Sequence, residues 1–207
     1  MKFWKILIFI LIVGIGVFIF RSCRRTSYTN FPPRATGDWI ALGDSLTSGI
    51  GAAQGSDYPT LLSQALGRPV HNMGVPGATT EHGLNRIDEI VRLQPRVVLL
   101  CLGGNDGLQQ LSMDKTFANL STIIDRLHES GAFVVLIGVR SASVSDRYAK
   151  PFKKLAAEKK VLLIPNILKG VLGSPSLMSD YIHPNDEGYK VIARRIEETV
   201  RPLLPTL

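Results

Sequence analysis

Apolar positions along the chain follow two periods. Segments of strand length occur at residues 38–44, 69–73, 97–102, 133–139 and 161–164, mostly apolar except for 69–73, which carries His71 and Asn72. Between them lie stretches with helical spacing. These are Tyr58 to Leu66 with Asp57 as a cap, Thr79 to Leu93 with Leu84, Ile87, Ile90 and Val91 on one face, Asp114 to Ser130 closed by Gly131, Arg147 to Lys160, and Asp186 to Val200, stopped before Pro202. The run from Val97 to Leu102 is apolar throughout, as in a parallel strand covered on both faces. Strand–helix alternation with short links predicts a three-layer α/β domain over residues 38–207, built on a mostly parallel five-stranded sheet.

The N-terminal pattern is different. Ile6 to Phe20 is 15 residues without charge, and the largely apolar stretch from Phe3 to Phe20 is interrupted only by Lys5. Eighteen helical residues span roughly 27 Å, close to the ~30 Å hydrocarbon core. Trp4 suits the interface and Lys5 can snorkel. The expectation is an N-terminal transmembrane helix through residues 3–20, an anchor over residues 1–25, and a Pro-bearing tether over 26–37. The rival reading, a cleaved signal peptide, lacks a small-x-small site at Phe20-Arg21-Ser22-Cys23. Phe20 and Arg21 also argue against lipid modification of Cys23. Lys2 and Lys5 on one side nearly balance Arg21, Arg24 and Arg25 on the other, so charge leaves the orientation open.

That segment also explains the charge. The 207-residue chain carries 24 basic and 17 acidic residues, net +7, and five of the basic residues fall within the first 25 positions. The remaining 19 against 17 form no evident basic stripe, so the charge says nothing for a nucleic-acid partner and none is expected. Cys101, inside an apolar run, reads as a small buried hydrophobe, and no disulfide to Cys23 is expected.

Candidate chemistry clusters at one place in this pattern. Gly43-Asp44-Ser45-Leu46 follows the first strand, Gly77 the second, Gly103-Gly104-Asn105-Asp106 the third, and Asp180-x-x-His183 lies between the fifth strand and the last helix. All fall at the C-terminal edge of the sheet, where open α/β sheets hold their ligands. Ser45 is the candidate nucleophile, set against an ordinary serine in a post-strand turn. His183 is the candidate base; His71, His82 and His128 have structural or solvated-face readings. Asp180, three residues earlier, can turn back to the imidazole. The N–H groups of Ser45 and Gly77 and the amide of Asn105 are candidate oxyanion donors, although Asn105 after two glycines is also a common turn residue. Asp-x-x-His as half a metal site finds no second cluster at ligand spacing, so no metal is expected.

These blocks, with Leu102 to Leu108 and Gln94-Pro95-Arg96, resemble the SGNH (GDSL) hydrolase family, in particular its bacterial thioesterase I, lysophospholipase L1 and arylesterase branch. The resemblance implies a flavodoxin-like α/β/α hydrolase without cofactor, with Ser45, Asp180 and His183 as triad and Ser45, Gly77 and Asn105 as oxyanion hole. The chain departs from that branch at Ala78, where an acidic residue is common.

Leu108, Leu111 and Met178 on the edge loops are the candidate acyl-binding residues, against the reading that they only pack loops onto the sheet. The expected function is serine esterase, thioesterase or lysophospholipase activity on acyl esters, lysophospholipid-like esters or acyl-thioesters through an acyl-enzyme on Ser45. The alternatives are deacetylation of cell-envelope carbohydrate and a non-catalytic envelope-binding module. A catalytic domain on the outer side of a bacterial inner membrane is the expected location.

Overall fold

Strands form in the five expected segments: β1 (Trp39–Gly43), β2 (Val70–Gly74), β3 (Val97–Cys101), β4 (Phe133–Ile137) and β5 (Leu162–Ile164). The computed structural model describes residues 27–139 and 147–207. It joins the strands in one sheet ordered β2-β1-β3-β4-β5, with every pair parallel. The helices are α1 (Ser45–Ser48), α2 (Tyr58–Leu66), α3 (Thr80–Asn85), α4 (Ile87–Arg92), α5 (Gly104–Leu108), α6 (Met113–Glu129), α7 (Ala149–Lys159) and α8 (Asp186–Val200).

Alternation along each strand sorts the core into two layers. Trp39, Ala41, Val97, Leu99 and Val135 face Tyr58 and Leu62 of α2 and Ile192 and Ile196 of α8. Ile40, Leu42, Val98, Leu100 and Val134 face Ile90 of α4, Ile123 of α6 and Phe152 of α7. β1, β3 and β4 are buried at every position because helices cover both faces. This is the three-layer α/β arrangement expected from the alternation.

One expected helix is two. The Thr79–Leu93 stretch breaks at Arg86, where ψ is −1°. The Arg86 N–H bonds back to Gly83 at 3.2 Å, and its guanidinium donates to the Met73 carbonyl on edge strand β2 at 3.1 Å. Asp88 and Glu89 then fall in a new first turn, where the helix dipole favours them. The apolar face continues across the break, so periodicity is blind to it.

The stretch read as a tether packs on the domain from its first described residues. Thr29 donates to Lys160, the Asn30 amide reaches the carbonyls of His128 and Ala132, and Arg34 and Ala35 bond to Gly131. Phe31 packs on Phe133 with ring centroids 5.6 Å apart. These partners precede β4 and β5. The described chain therefore begins at the N-terminal edge of the sheet, opposite the edge that carries Ser45. The expected anchor over residues 1–25 lies outside the described residues, among which no helix is long and apolar enough to cross a membrane.

The strand order reverses between β1 and β3, and the loops leaving these two strands diverge there to open a crevice. Gly43 closes β1 at this point. A methyl on Gly43 would collide with Thr47 Oγ1 and come within 2.8 Å of the Cys101 carbonyl oxygen, because α1 folds back onto the strand end. Gly43→Ala is expected to destabilise the fold by about 1–3 kcal/mol through overpacking, as urea unfolding would measure.

Candidate active site

Two local turns build the site. Asp44 caps the four-residue α1: its Oδ1 accepts from the Leu46 N–H at 3.0 Å, and its carbonyl accepts from Thr47 and Ser48. Ser45 therefore occupies the first helical position, its side chain at the mouth of the crevice. The second turn is Asp180–His183. Asp180 Oδ1 accepts from the N–H groups of Ile182 and His183 at 2.8 and 2.7 Å, and its Oδ2 lies 2.7 Å from His183 Nδ1. Ser179 closes the turn by donating to the His183 carbonyl at 2.9 Å. Asn185 then caps α8 by accepting from Gly188, and its amide donates to Ser176 and Met178.

The two turns meet. His183 Nε2 lies 3.1 Å from Ser45 Oγ, across 138 residues of sequence. With Nδ1–H donating to the carboxylate, Nε2 is left as the acceptor for the serine hydroxyl. Three hydrogen bonds, led by the one from His183, hold the Asp180 carboxyl down at about 2, so it is ionised throughout the neutral range.

Asn105 sits one residue into α5, beyond Gly103. Its amide donates to the Ala78 carbonyl at 3.0 Å and to Asp44 Oδ2 at 3.3 Å. The carboxylate of the next residue, Asp106, is buried and accepts from the Thr80 N–H and hydroxyl at 2.9 and 2.5 Å and from the Thr116 hydroxyl at 3.2 Å. The 77–80 loop is thereby fastened to the turn after β3. Gly77, with φ +78°, takes the left-handed conformation that glycine adopts without strain. Among the described residues, neither the Gly77 nor the Ser45 N–H has a hydrogen-bond partner.

The chain matches the GDSL-like Lipase/Acylhydrolase family over residues 41–191. It belongs to this family. An arylesterase from Vibrio mimicus is 34% identical over 177 residues, covering 79% of this chain and 88% of that protein. Thioesterase 1/protease 1/lysophospholipase L1 of Escherichia coli strain K12 is 32% identical over 183 residues, covering 84% and 88%. Among solved structures, TesA superposes with TM-score 0.76 at 28% identity over 80% of this chain and 99% of TesA. AlinE4, an SGNH-hydrolase family esterase, does so with TM-score 0.65 at 32% identity over 82% and 94%.

Beside Ser45 and His183, the GDSL domain opens a cleft of about 180 Å³. Asn105 and Asp44 lie at its polar end, and Leu108, Val139, Leu168, Leu172 and Ile182 form its apolar walls. Of the three residues expected to bind an acyl group, only Leu108 lines it. Leu111 is exposed and outside the lining, and Met178 faces a separate groove beside Ser174 and Pro175, held there by pairing with Pro184. Gly77 does not line the cleft; its loop reaches the site through the Ala78 carbonyl. Sequence reasoning missed Val139, at the end of the fourth strand segment, and also Leu168, Leu172 and Ile182. Ile182 had a signal, lying inside the Asp-x-x-His block; Leu168 and Leu172 lie in an irregular stretch with no period. Residues 140–146 lie outside the described residues. Among the described residues no three His, Cys, Asp or Glu side chains gather as a metal site requires.

Asp44 is 3% exposed, and its burial pushes the carboxyl up to about 6 against the hydrogen bonds that favour its charge. The folded chain keeps this proton between about pH 4 and 6, where the unfolded chain has released it. The stabilising contribution of Asp44 therefore falls as pH rises through that window. Relative to Asp44→Ser, which retains a good cap residue, the protein is expected to lose on the order of 2–3 kcal/mol between pH ~4 and pH ~7. Denaturant unfolding of both proteins across that range is the measurement.

Proposed function

We propose that this GDSL hydrolase cleaves carboxylic esters or thioesters of apolar acyl groups through an acyl-enzyme on Ser45. The observation that carries the reading is the chain of two hydrogen bonds, Ser45 to His183 to Asp180, set at the end of an apolar cleft. Ser45 Oγ attacks the carbonyl carbon while its proton passes to His183 Nε2. Asp180, already ionised, holds the imidazole tautomer and stabilises the imidazolium. The negative charge developing on the carbonyl oxygen is met by the Ser45 N–H and the Asn105 amide, which border the cleft, joined by the Gly77 N–H from the loop beside it. The imidazolium returns the proton to the departing alcohol or thiol. Water, activated by the same histidine, then releases the acid and restores Ser45.

Cleft size bears on the substrate. An apolar cavity of about 150 Å³ holds a benzene ring, so the cleft here accommodates an acyl portion of about six carbons, with longer chains running out over its open rim. Ile50, Val75, Leu108, Leu111, Tyr181 and Ile182 are exposed on loops at this same edge, which favours amphiphilic esters over sugar acetates. The arylesterase and thioesterase/lysophospholipase names of the relatives agree with this class.

A nitrophenyl ester panel of increasing acyl length, with acyl-thioesters alongside, tests the reading. Medium-chain substrates are expected to be turned over best. Ser45→Ala is expected to lose at least ~10³-fold in kcat and to escape the fluorophosphonate label that peptide mapping places on Ser45 in the parent protein. Preference for acetyl esters and acetylated glycans would overturn the acyl assignment, and retained hydrolysis in Ser45→Ala the whole mechanism.

The apolar run over residues 3–20 supports a membrane anchor in a bacterial inner membrane, with the catalytic domain on its outer side. Because the described chain starts at the pole opposite Ser45, the cleft in this arrangement opens away from the anchoring bilayer. Substrate then reaches it from the aqueous side. A C-terminal phosphatase fusion is expected to be active in intact cells; activity of a cytoplasm-dependent fluorescent fusion alone would reverse the topology.

A further inference from the structure

Asp44 does more than a helix cap requires. A four-residue helix is capped as well by Ser, Thr or Asn, none of which carries a charge into the interior. Here a carboxylate is almost fully buried, and none of the ion pairs among the described residues includes it. Burial of an unpaired carboxylate is costly. What a carboxylate supplies, and Ser or Asn does not, is a second acceptor: Oδ1 takes the Leu46 N–H while Oδ2 faces the Asn105 amide at 3.3 Å.

Both N–H groups of Asn105 are thus engaged, one by the Ala78 carbonyl at 3.0 Å and one by Asp44. Two acceptors on different loops fix the plane of the amide. The longer and weaker of the bonds is the one to Asp44, and Asp44 and Asn105 both border the cleft. A carbonyl oxygen gaining charge in the cleft competes for this proton, and the amide can share it without turning. A donor already held in place needs no reorganisation during the reaction.

We propose that Asp44 is a positioning residue for turnover, acting through Asn105: its carboxylate holds the amide aimed between the Ser45 turn and the 77–80 loop. This rests on the hydrolase reading above. In Asp44→Asn, an Oδ1 that keeps the cap leaves an NH₂ facing the Asn105 NH₂, so the amide loses its orientation while the charge-free interior is easier to fold.

A double-mutant cycle on a medium-chain ester tests this, with Asp44→Asn and Asn105→Ala made singly and together and a thermal melt for each. Asp44→Asn is expected to lower kcat ~10–100-fold with KM within about threefold, and to lower it by less than about threefold when Asn105 is already Ala. Asp44→Ser, which keeps the cap and removes the second acceptor, is expected to follow the same pattern and stands in if Asp44→Asn melts early. Equal losses in both backgrounds, wild-type kcat in Asp44→Asn, or losses that track melting temperature instead of Asn105 would overturn the proposal. Absence of ester hydrolysis and of Ser45 labelling in the parent protein would instead remove the hydrolase reading, and this inference with it.

Discussion

The pairing of β1 with β3 is the constraint on which the site depends. Gly43 lies opposite Cys101 in a parallel register, so the two strands end together and point the same way. Ser45 and Asn105 follow those ends by a few residues and emerge side by side. Gly43 also pairs with Gly74, which brings the chain leading to Gly77 to the same edge. A slip of one residue would turn every side chain of β1 to the other face of the sheet. With β1 and β3 buried on both faces, such a slip would also set Trp39 against the wrong helix layer. Core packing thus holds the nucleophile turn and the amide turn in register.

The imidazole comes by a different route. The Asp180–His183 turn is closed almost wholly by its own backbone and carboxylate bonds, and these say nothing about where the turn sits. Its position comes from α8. Tyr189 donates from its hydroxyl to the Ile50 carbonyl at 2.9 Å, and Asp186 accepts from the Ala53 N–H at 2.8 Å. These bonds stitch the first turn of α8 to the segment after α1, two to five residues beyond the helix that begins with Ser45. The Ser45–His183 contact is therefore the visible end of a broader seam between α8 and the 50–53 loop.

How much of this was legible depended on whether a feature was periodic, covalently local, or neither. The five strands and the longer helices announced themselves through repeating apolar positions. Ser45, Asn105, Asp180 and His183 were legible because each sits in a short block of distinctive residues; the Asp180 carboxylate even bonds within its block, to Ile182 and His183, whereas Asn105 and Asp106 bond across to Asp44, Ala78, Thr80 and Thr116. Helices α1 and α5, at four and five residues, are too short to show a period. The break at Arg86 escaped because it leaves the apolar face intact. Leu168 and Leu172 reach the cleft through an irregular stretch whose path only tertiary packing decides, and Leu111 and Met178 sit on the correct edge but turn elsewhere. Ala78, the departure from the branch pattern, proves less consequential than its position suggested: Asn105 binds its main-chain carbonyl, which any side chain leaves in place.

The remaining tension is electrostatic. A carboxylate close to an oxyanion donor opposes the charge that the donor should stabilise, so an ionised Asp44 ought to hinder the first step. Yet that step creates two charges, an oxyanion and an imidazolium, and Asp44 also feels the attraction of His183. Its field therefore favours proton transfer to the imidazole while disfavouring the oxyanion, and the two effects partly cancel in a site of low dielectric. Geometry does not cancel in this way. The orientation of the Asn105 amide is gained in full, whereas the field acts on two opposite charges formed together. A buried acid at this position is consistent with a site where holding a donor still outweighs the local cost of its charge.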